Sequence, residues 1–282
     1  MRSALLLALT VVVSPDAGDL KGPRLKYDAM GVVLDGHRTP WKDVTSITET
    51  DPTGEAPKLE GPDFDALVAD PFAKEALKRV LPILEKRPTA TALRPPFEGR
   101  WKAIVDSTGH HRAKAFALFA IDFAACDEKG RIYGGTGRAL ADYPGFDQPV
   151  LAAADGKVVQ VEDRFDDLIP PKLGKPDEAN SVTLRHSDAE HTFYAHLRKG
   201  SATVRRGDKV AKGQALARVG NSGASGMPHL HFALLVPNRT GWLSVPWRLH
   251  DLKLAEASGS ACSVDVKQAR PREGWIVVAP KP

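Results

Sequence analysis

The chain has 282 residues, of which 42% are hydrophobic and 26% are charged. This length is enough for about two domains of roughly 150 residues, and the composition argues against wholesale disorder and against a fibrous repeat. The 39 basic and 35 acidic residues give a formal net charge of +4 without a basic block, which argues against a nucleic-acid-binding protein.

Residues 1–18 are typical of a secretory signal peptide. Arg2 precedes an apolar run at residues 4–13, and small residues follow that run. A run of about ten residues suits the hydrophobic segment of a signal, whereas a membrane-spanning helix needs about 20 apolar residues. A buried first strand or an uncleaved anchor is the alternative. We therefore expect an exported protein, located in the periplasm, in the cell envelope or outside the cell, with no integral membrane span.

Residues 22–92 predict a small α+β domain whose role the sequence does not indicate. Strands are predicted from local alternation of apolar and polar residues, at residues 31–36 and 41–47. A helix is predicted to begin with Asp70 as its N-cap and Pro71 at its first position, because apolar residues then recur at helical spacing. The proline-rich stretch at 87–97 predicts a linker, so we place the domain boundary after residue 92.

From residue 93 the pattern predicts a mainly β domain that extends to residue 250, followed by a C-terminal β extension at 251–282. Short apolar runs alternate with glycine-rich turns, which favours an antiparallel sheet, as a sandwich or an open barrel. The predicted strand runs are residues 116–124, 150–161, 181–186, 192–197, 209–219 and 229–236. A polar, glycine-rich insertion at 126–148 is long for a loop in a compact domain, and such loops are often lids or groove walls.

The two cysteines are Cys126 and Cys262. They lack the C-x-x-C spacing of a zinc site, so a cysteine-built zinc site is excluded. In an exported protein an even pair is compatible with one disulfide, but sequence alone does not show whether the two sulfurs meet.

His229 and His231 stand two residues apart in a predicted strand. Residues i and i+2 of a strand project to the same face, so the two imidazoles can share one metal ion. A bare His-x-His pattern is more often a pair of half-exposed strand histidines. The glycine-rich turn at 220–226 leads straight into this strand; it would let the backbone approach a ligand closely, or it is a plain flexible turn.

Asp122 lies inside an apolar strand, where a lone carboxylate is costly unless a cation or several hydrogen bonds compensate it. A metal ion would do so; an Asp that accepts from backbone amides is the alternative. His110 and His111 precede this strand, so one of them and Asp122 can reach the same ion. His196 has the strand parity of Tyr194 and not of its apolar neighbours, and by itself it would be a structural or surface histidine.

Together these residues resemble the lysostaphin/LytM-type zinc metallopeptidases, which cut peptide bonds in bacterial peptidoglycan. The family pattern is a His, an Asp inside a strand, a Tyr-x-His-Leu segment and a Gly-Asn-Ser-Gly turn leading to His-Leu-His. The matching residues occur here in the same order, as His110 or His111, Asp122, Tyr194 to Leu197, Gly220 to Gly223 and His229 to His231. The match covers residues 93–250 and implies antiparallel β-sheets of the duplicated hybrid motif type.

The resemblance implies that Zn²⁺ is held by His110, Asp122 and His231, with His111 as the alternative to His110. It implies that His196 and His229 are the catalytic pair. The expected function is that of a zinc-dependent endopeptidase acting on peptidoglycan peptides. The gap before Asp122 is longer than the three residues common in the family, and the insertion at 126–148 is a second departure, so substrate specificity does not carry over.

Three other functions are compatible with parts of the sequence. The first is a non-catalytic peptidoglycan-binding or amidase-activating module of the same family. The second is a lipoyl- or biotin-carrier-like domain, suggested by the paired turns at 204–213, although no lysine stands at a convincing hairpin tip. The third is metal storage or transport. The oligomeric state, the bond that is cut and the origin of the wall are not indicated.

Overall fold

The computed structural model of the protein describes part of the chain. The described residues are 9–12, 25–28, 31–34, 37–40, 47–50, 89–105, 111, 115–238, 241–255 and 263–279. The first five ranges are short strands: β1 Leu9–Val12, β2 Leu25–Asp28, β3 Gly31–Leu34, β4 His37–Pro40 and β5 Ile47–Thr50. β1 pairs with β5 in parallel, and β2, β3 and β4 form an antiparallel meander.

These strands bear on two expectations for the N-terminal region. β3 coincides with the strand predicted at residues 31–36, and β1 falls within the segment predicted to be a signal peptide. The helix predicted from Asp70 lies outside the described residues.

The rest of the described chain is built from thirteen strands. Their bounds are β6 Gly99–Ile104, β7 Ile121–Ala125, β8 Pro149–Leu151, β9 Gly156–Glu162, β10 Ser181–Arg185, β11 His191–Ala195, β12 Lys209–Val210, β13 Ala215–Arg218, β14 Leu230–Asn238, β15 Gly241–Val245, β16 Leu249–Ala255, β17 Val264–Ala269 and β18 Ile276–Ala279. Eleven of them form one antiparallel sheet in the order β12-β9-β10-β11-β14-β7-β6-β18-β16-β17, with β15 paired to β14. β8 and β13 form a second, two-stranded sheet.

The hydrophobic core lies between these two sheets. Val150 of β8 and Leu216 of β13 are fully buried in the same cluster as the core-facing residues of the large sheet. Phe232 and Trp247 meet there edge to face, with ring centroids 4.9 Å apart. Burial of each such side chain contributes about 1.5–3 kcal/mol. The predicted mainly β, layered antiparallel architecture is therefore confirmed.

The opposite face of the large sheet carries polar residues. Along β14, Phe232 and Leu234 point into the core, whereas His231, Ala233 and Leu235 point to the other face, as the two-residue repeat of a strand requires. β7 alternates in the same way. This second face is where the chemistry-bearing residues collect.

The strand runs predicted between residues 150 and 236 correspond to β8 through β14, without a long helix among the described residues. The run predicted at 116–124 is wrong in its first part. The strand begins only at Ile121, because Ala115–Ala117 forms a 3₁₀ turn that packs on the sheet. The insertion at 126–148 is irregular apart from the 3₁₀ turn Leu140–Asp142.

Both ends of the β domain are attached to the large sheet. Within the predicted linker, the backbone amides of Ala90 and Thr91 donate to the carboxylate of Glu190 at 3.0 and 2.8 Å. β18 pairs with β6, and β16 begins at Leu249, so the strands of the C-terminal segment continue the same sheet across the boundary expected at residue 250.

Two further expectations concern the membrane and the cysteines. Within the part of the chain that the structure describes, no helix has the length and apolarity needed to cross a membrane. Cys126 is buried, its thiol lies 3.7 Å from the carbonyl oxygen of Arg100, and burial raises the pKa of the thiol. Cys262 lies outside the described residues, so the disulfide stays a prediction.

Candidate metal centre

Asp122 and His231 lie opposite each other on the paired strands β7 and β14. The pairing brings together two residues that are 109 positions apart in the chain, and Nδ1 of His231 lies 2.9 Å from Oδ1 of Asp122. Both residues are 6% exposed. The buried carboxylate that the sequence marked is therefore compensated by side chains and does not act as a simple backbone cap.

His111 joins the pair from the segment before β7. Its Nε2 lies 3.3 Å from Oδ2 of Asp122, and its ring is 4.9 Å from the ring of His231. The potential ligand atoms of His111, Asp122 and His231 all lie within 4.8 Å of one another, and all three residues are buried. His110, the preferred ligand of the sequence analysis, lies outside the described residues, so the structure places the alternative, His111, at the site.

These donors fit a zinc ion. Zinc is bound by imidazole nitrogen and carboxylate oxygen at about 2.0–2.2 Å, which sets the ligand atoms of a tetrahedral site about 3.3–3.6 Å apart. The donor atoms of His111 and His231 are 3.3 and 2.9 Å from the carboxylate oxygens of Asp122. Three protein ligands with a fourth position open are the arrangement of catalytic zinc sites, whereas structural sites use four.

His229 lies beside the carboxylate of Asp122, just before β14. Its Nε2 is 3.5 Å from Oδ2 of Asp122, and its Nδ1 is 2.8 Å from the carbonyl oxygen of Met227. A carbonyl only accepts, so Nδ1 carries a hydrogen and Nε2 faces the site. Burial disfavours the charged ring, but the negative charge of Asp122 and its hydrogen bond outweigh this effect and raise the pKa of His229.

His196 stands next to His229, with the two ring centroids 4.7 Å apart, and its ring is 5.8 Å from that of His231. Its Nδ1 lies 2.8 Å from the carbonyl oxygen of Ser222, which leaves Nε2 for the site. Burial and the neighbouring imidazoles hold the pKa of His196 well below its ordinary value. The two histidines expected to be catalytic are thus adjacent, and each has its Nδ1 next to a backbone carbonyl oxygen.

The carboxyl group of Asp122 responds to all of these neighbours. Burial opposes its ionisation, but the charge of His229 and hydrogen bonds from His111, His229 and His231 lower the pKa of Asp122 well below its usual value. The carboxylate therefore stays ionised and is available as a metal ligand.

The side-chain directions predicted around His196 from strand alternation are wrong. Tyr194 is fully buried in the core, whereas Phe193 is half-buried on the other face, with its ring 6.0 Å from that of His231. His196 itself has a φ of 61° and so leaves the extended conformation on which parity depends. Because the backbone turns here, the His196 ring reaches the site.

The glycine-rich turn is packed and hydrogen-bonded, so it is not the plain flexible turn that was one alternative. A Cβ at Gly220 would overlap the backbone of Arg198 and the carboxylate of Asp167. The hydroxyl of Ser222 donates to the carbonyl of Leu197 at 2.8 Å and accepts from a backbone amide. The turn therefore positions the carbonyl oxygen that orients His196, and it leads directly to His229.

The segment at 163–180 connects β9 to β10 and packs against this turn. Its place beside the candidate site was not predicted from sequence. Asp167 accepts from the amide of Asn221 at 2.7 Å, and the amide of Gly174 donates to the carbonyl of Gly223 at 2.8 Å. Ile169 and Leu173 of this segment are each 64% exposed. Its prolines are typical of a loop, and no local sequence pattern indicates that the segment packs near the histidines.

The insertion at 126–148 ends close to the same region. The carboxylate of Asp147 forms an ion pair of 2.6 Å with Arg198, two residues after His196. The amide of Asp147 also donates to the carbonyl of Val219 at 2.8 Å. The end of the insertion is thus joined to the segments that carry His196 and the glycine-rich turn, while a role as groove wall stays a prediction.

Known proteins resemble this chain in sequence. Residues 140–241 match the model of Peptidase family M23. Peptidoglycan DD-endopeptidase ShyA of Vibrio cholerae is 29% identical over 144 residues, which are 48% of this chain and 30% of that protein. Peptidoglycan DD-endopeptidase ShyB of the same organism is 35% identical over 91 residues, which are 32% of this chain and 18% of that protein. The chain thus spans less than a third of the length of these relatives.

Among solved structures, the catalytic domain of lysostaphin from Staphylococcus simulans aligns with 55% of this chain and 84% of its own, at 20% identity and a TM-score of 0.29. The residues matched by the family model include His196, His229 and His231, whereas His111 and Asp122 precede them. The resemblance drawn from the sequence is confirmed: residues 140–241 match peptidase family M23, and the relatives of this chain include peptidoglycan DD-endopeptidases.

Proposed function

We propose that this protein is a zinc-dependent endopeptidase that hydrolyses peptide bonds in bacterial cell-wall peptidoglycan. The observation that carries the proposal is the arrangement around Asp122, where nitrogen atoms of His111, His229 and His231 lie within 3.5 Å of the carboxylate. The family match and the peptidoglycan endopeptidases among the relatives support the substrate class.

His111, Asp122 and His231 are the residues that would hold the zinc ion. When bound, zinc would supply Lewis acidity: it would polarise a carbonyl and lower the pKa of water, so that hydroxide is available as the nucleophile near neutral pH. The buried, ionised carboxylate of Asp122 contributes the negative charge of this ligand set. The proposal uses His111 in place of His110, and the distance of 3.3 Å between Nε2 of His111 and Oδ2 of Asp122 supports this choice.

His196 and His229 are the groups that hold and move a proton. Each ring has Nδ1 bound to a backbone carbonyl, of Ser222 and Met227 respectively, so each presents Nε2 toward the reacting groups. From there an imidazole accepts a proton from the attacking water and returns it to the leaving amine, or donates a hydrogen bond to the oxyanion. The two rings share these roles in our proposal, without a division between them.

The direct test is digestion of purified peptidoglycan sacculi by the full chain, with and without a chelator. We expect cleavage to stop on chelation and to return on addition of zinc. H196A should keep its zinc and lose about 10²–10⁴-fold in rate, the usual contribution of a general acid–base group. Cleavage that survives zinc removal would contradict the metal assignment, and full activity of H196A would contradict the role of His196.

The main competing function is a non-catalytic peptidoglycan-binding or amidase-activating module. It predicts that the zinc-loaded protein binds sacculi and releases no peptide fragments, as followed by mass spectrometry of the soluble products. The same fragments would identify the bond that is cut. An exported location, in the periplasm, in the envelope or outside the cell, follows from the proposed substrate.

A further inference from the structure

We propose that Arg270 is a positioning residue for the metal centre, acting through the turn that joins two of the metal ligands. The inference rests on the proposed zinc site. Arg270 lies in the C-terminal segment, beyond the residues matched by the family model, so nothing in that match assigns it a role. Its effect on the ligands runs through Phe119.

The turn at residues 115–120 lies in the chain between His111 and Asp122. It includes the 3₁₀ turn Ala115–Ala117, and the amide of Ala120 donates to the carbonyl of Ala117 at 2.9 Å. Ala117 and Ala120 pack on Ala233 and Leu235 of β14, the strand that carries His231. The placement of this turn therefore sets how the segment before β7 meets the other two ligands.

The peptide groups on both sides of Phe119 are held by residues from the later part of the chain. The amide of Phe119 donates to Oγ of Ser244 at 2.8 Å. Its carbonyl accepts from Nε1 of Trp247 at 2.8 Å and from Nη1 of Arg270 at 3.2 Å. Phe119 precedes Asp122 by three residues, so these bonds fix the backbone immediately before the metal-binding strand.

Arg270 also stacks on two aromatic rings. Its guanidinium carbon lies 5.6 Å from the ring centroid of Phe119 and 5.4 Å from that of Trp247. Such cation–π contacts suit the flat guanidinium group, which a lysine does not reproduce. Arg270 therefore joins the side chain and the carbonyl of Phe119 to Trp247 of the core.

The hydrogen bond from Arg270 constrains the direction of the Phe119 carbonyl, and it is not needed to satisfy that acceptor. The carbonyl of Phe119 already accepts from Trp247, so losing Arg270 leaves no orphaned acceptor. What is lost is the second constraint on the direction of that peptide group. Metal ligands must be held within about 0.5 Å of the productive geometry, and loss of outer partners costs about 10–100-fold in metal affinity.

The test compares R270A, R270K and R272A in the full chain. Arg272 is a matched control, because it is an exposed arginine two residues further on that stacks on Trp275 at 5.5 Å and belongs to the same segment. Zinc affinity is measured by competition with a chromophoric chelator, and the thermal unfolding midpoint of each apo form is measured separately.

We expect R270A to bind zinc about tenfold more weakly and R270K about threefold more weakly, since lysine keeps the charge and a donor but not the flat stack. R272A should match the wild type in zinc affinity, and the apo midpoints of R270A and R270K should lie above the assay temperature, so that folded protein is compared with folded protein. If R270A does not fold, R270K decides. Wild-type zinc affinity in R270A or R270K, or an equal loss in R272A, overturns the inference.

The same measurements separate this inference from the proposed function. A wild-type protein that binds zinc and cleaves no peptidoglycan refutes the proposed function and leaves the role of Arg270 standing. Unchanged zinc affinity in R270A, with cleavage intact, refutes the role of Arg270 alone. A wild-type protein that binds no zinc refutes both.

Discussion

At Asp122, a single buried carboxylate is surrounded by three imidazoles from two parts of the chain. Removing a carboxylate from water is costly unless opposite charge and hydrogen bonds replace the lost hydration. His111, His229 and His231 provide those bonds, and they keep the pKa of Asp122 low although burial opposes it. The free-energy cost of burying Asp122 is thus offset by the same histidines that form the candidate site.

The neighbouring histidines His110 and His111 offer a prediction at the scale of one residue. Because Nε2 of His111 lies 3.3 Å from Asp122, H111A removes one of three ligands and should weaken zinc binding by at least about 100-fold. H110A is the matched control, and it should bind zinc normally. Elemental analysis after dialysis and a competition titration measure both variants; normal zinc content in H111A with loss in H110A would restore the assignment preferred from sequence.

At the scale of elements, the site depends on how β7, β11 and β14 are joined. β7 and β14 bring Asp122 opposite His231, and the left-handed residue His196 ends β11 so that its ring turns toward the same place. The glycine-rich turn and the residue that follows it support both catalytic candidates, because the carbonyls of Ser222 and Met227 accept from the Nδ1 atoms of the two rings. His196 and His229 lie just outside β11 and β14, and His111 precedes β7, so residues beyond the strand ends orient these three imidazoles.

Gly220 provides the test at this scale. A Cβ at this position would overlap the backbone of Arg198, which cannot move aside as a flexible side chain can. G220A should lower the free energy of unfolding by about 1–3 kcal/mol, the usual cost of overpacking, and should also reduce activity, since the turn orients His196. Urea unfolding and peptidoglycan digestion measure the two effects.

Gly226, in the same turn, is the control for that substitution. A Cβ there would meet only Leu173, at the ordinary contact distance of 3.5 Å. G226A should therefore leave stability and activity close to those of the wild type. A G220A protein as stable and active as G226A would show that the close approach at Gly220 does not constrain the turn.

At the scale of the whole molecule, one large sheet links residues that are far apart in sequence. The first residues of the predicted linker bind Glu190, β18 pairs with β6, and Arg270 reaches the carbonyl of Phe119. The metal ligands likewise come from separate stretches of chain. Zinc binding is therefore expected to favour the folded molecule over the unfolded chain, in which these stretches are apart.

This coupling predicts that zinc stabilises the protein. A ligand that binds only the folded state adds about 2.7 kcal/mol to the free energy of unfolding at a concentration 100 times its Kd. Urea unfolding of the wild type with and without zinc should show an increase of this order. H231A, which lacks a ligand, should show little increase, and an equal zinc effect in both proteins would place the stabilising ion elsewhere.

Much of the site was accessible from local sequence. The residues singled out from sequence, namely His196, Asp122 and the pair His229 and His231, lie close together in the structure, while their roles stay predictions. Local pattern failed where the backbone departs from regular structure. The turn at 115–120 interrupts an apolar run that looked like one strand, and parity at His196 failed because that residue is left-handed.

The sequence by itself determined the mainly β class, the strands in chain order between residues 150 and 236, and the residue types of the candidate metal centre, because strand periodicity and motif spacing depend on neighbouring residues. Only the tertiary structure decided that β14 pairs with β7, that His111 approaches Asp122 and that Arg270 reaches Phe119. These contacts join residues that are distant in the chain. Which distant residues meet depends on the burial of the whole core and on the pairing of the backbone groups. A local sequence pattern carries no information about either.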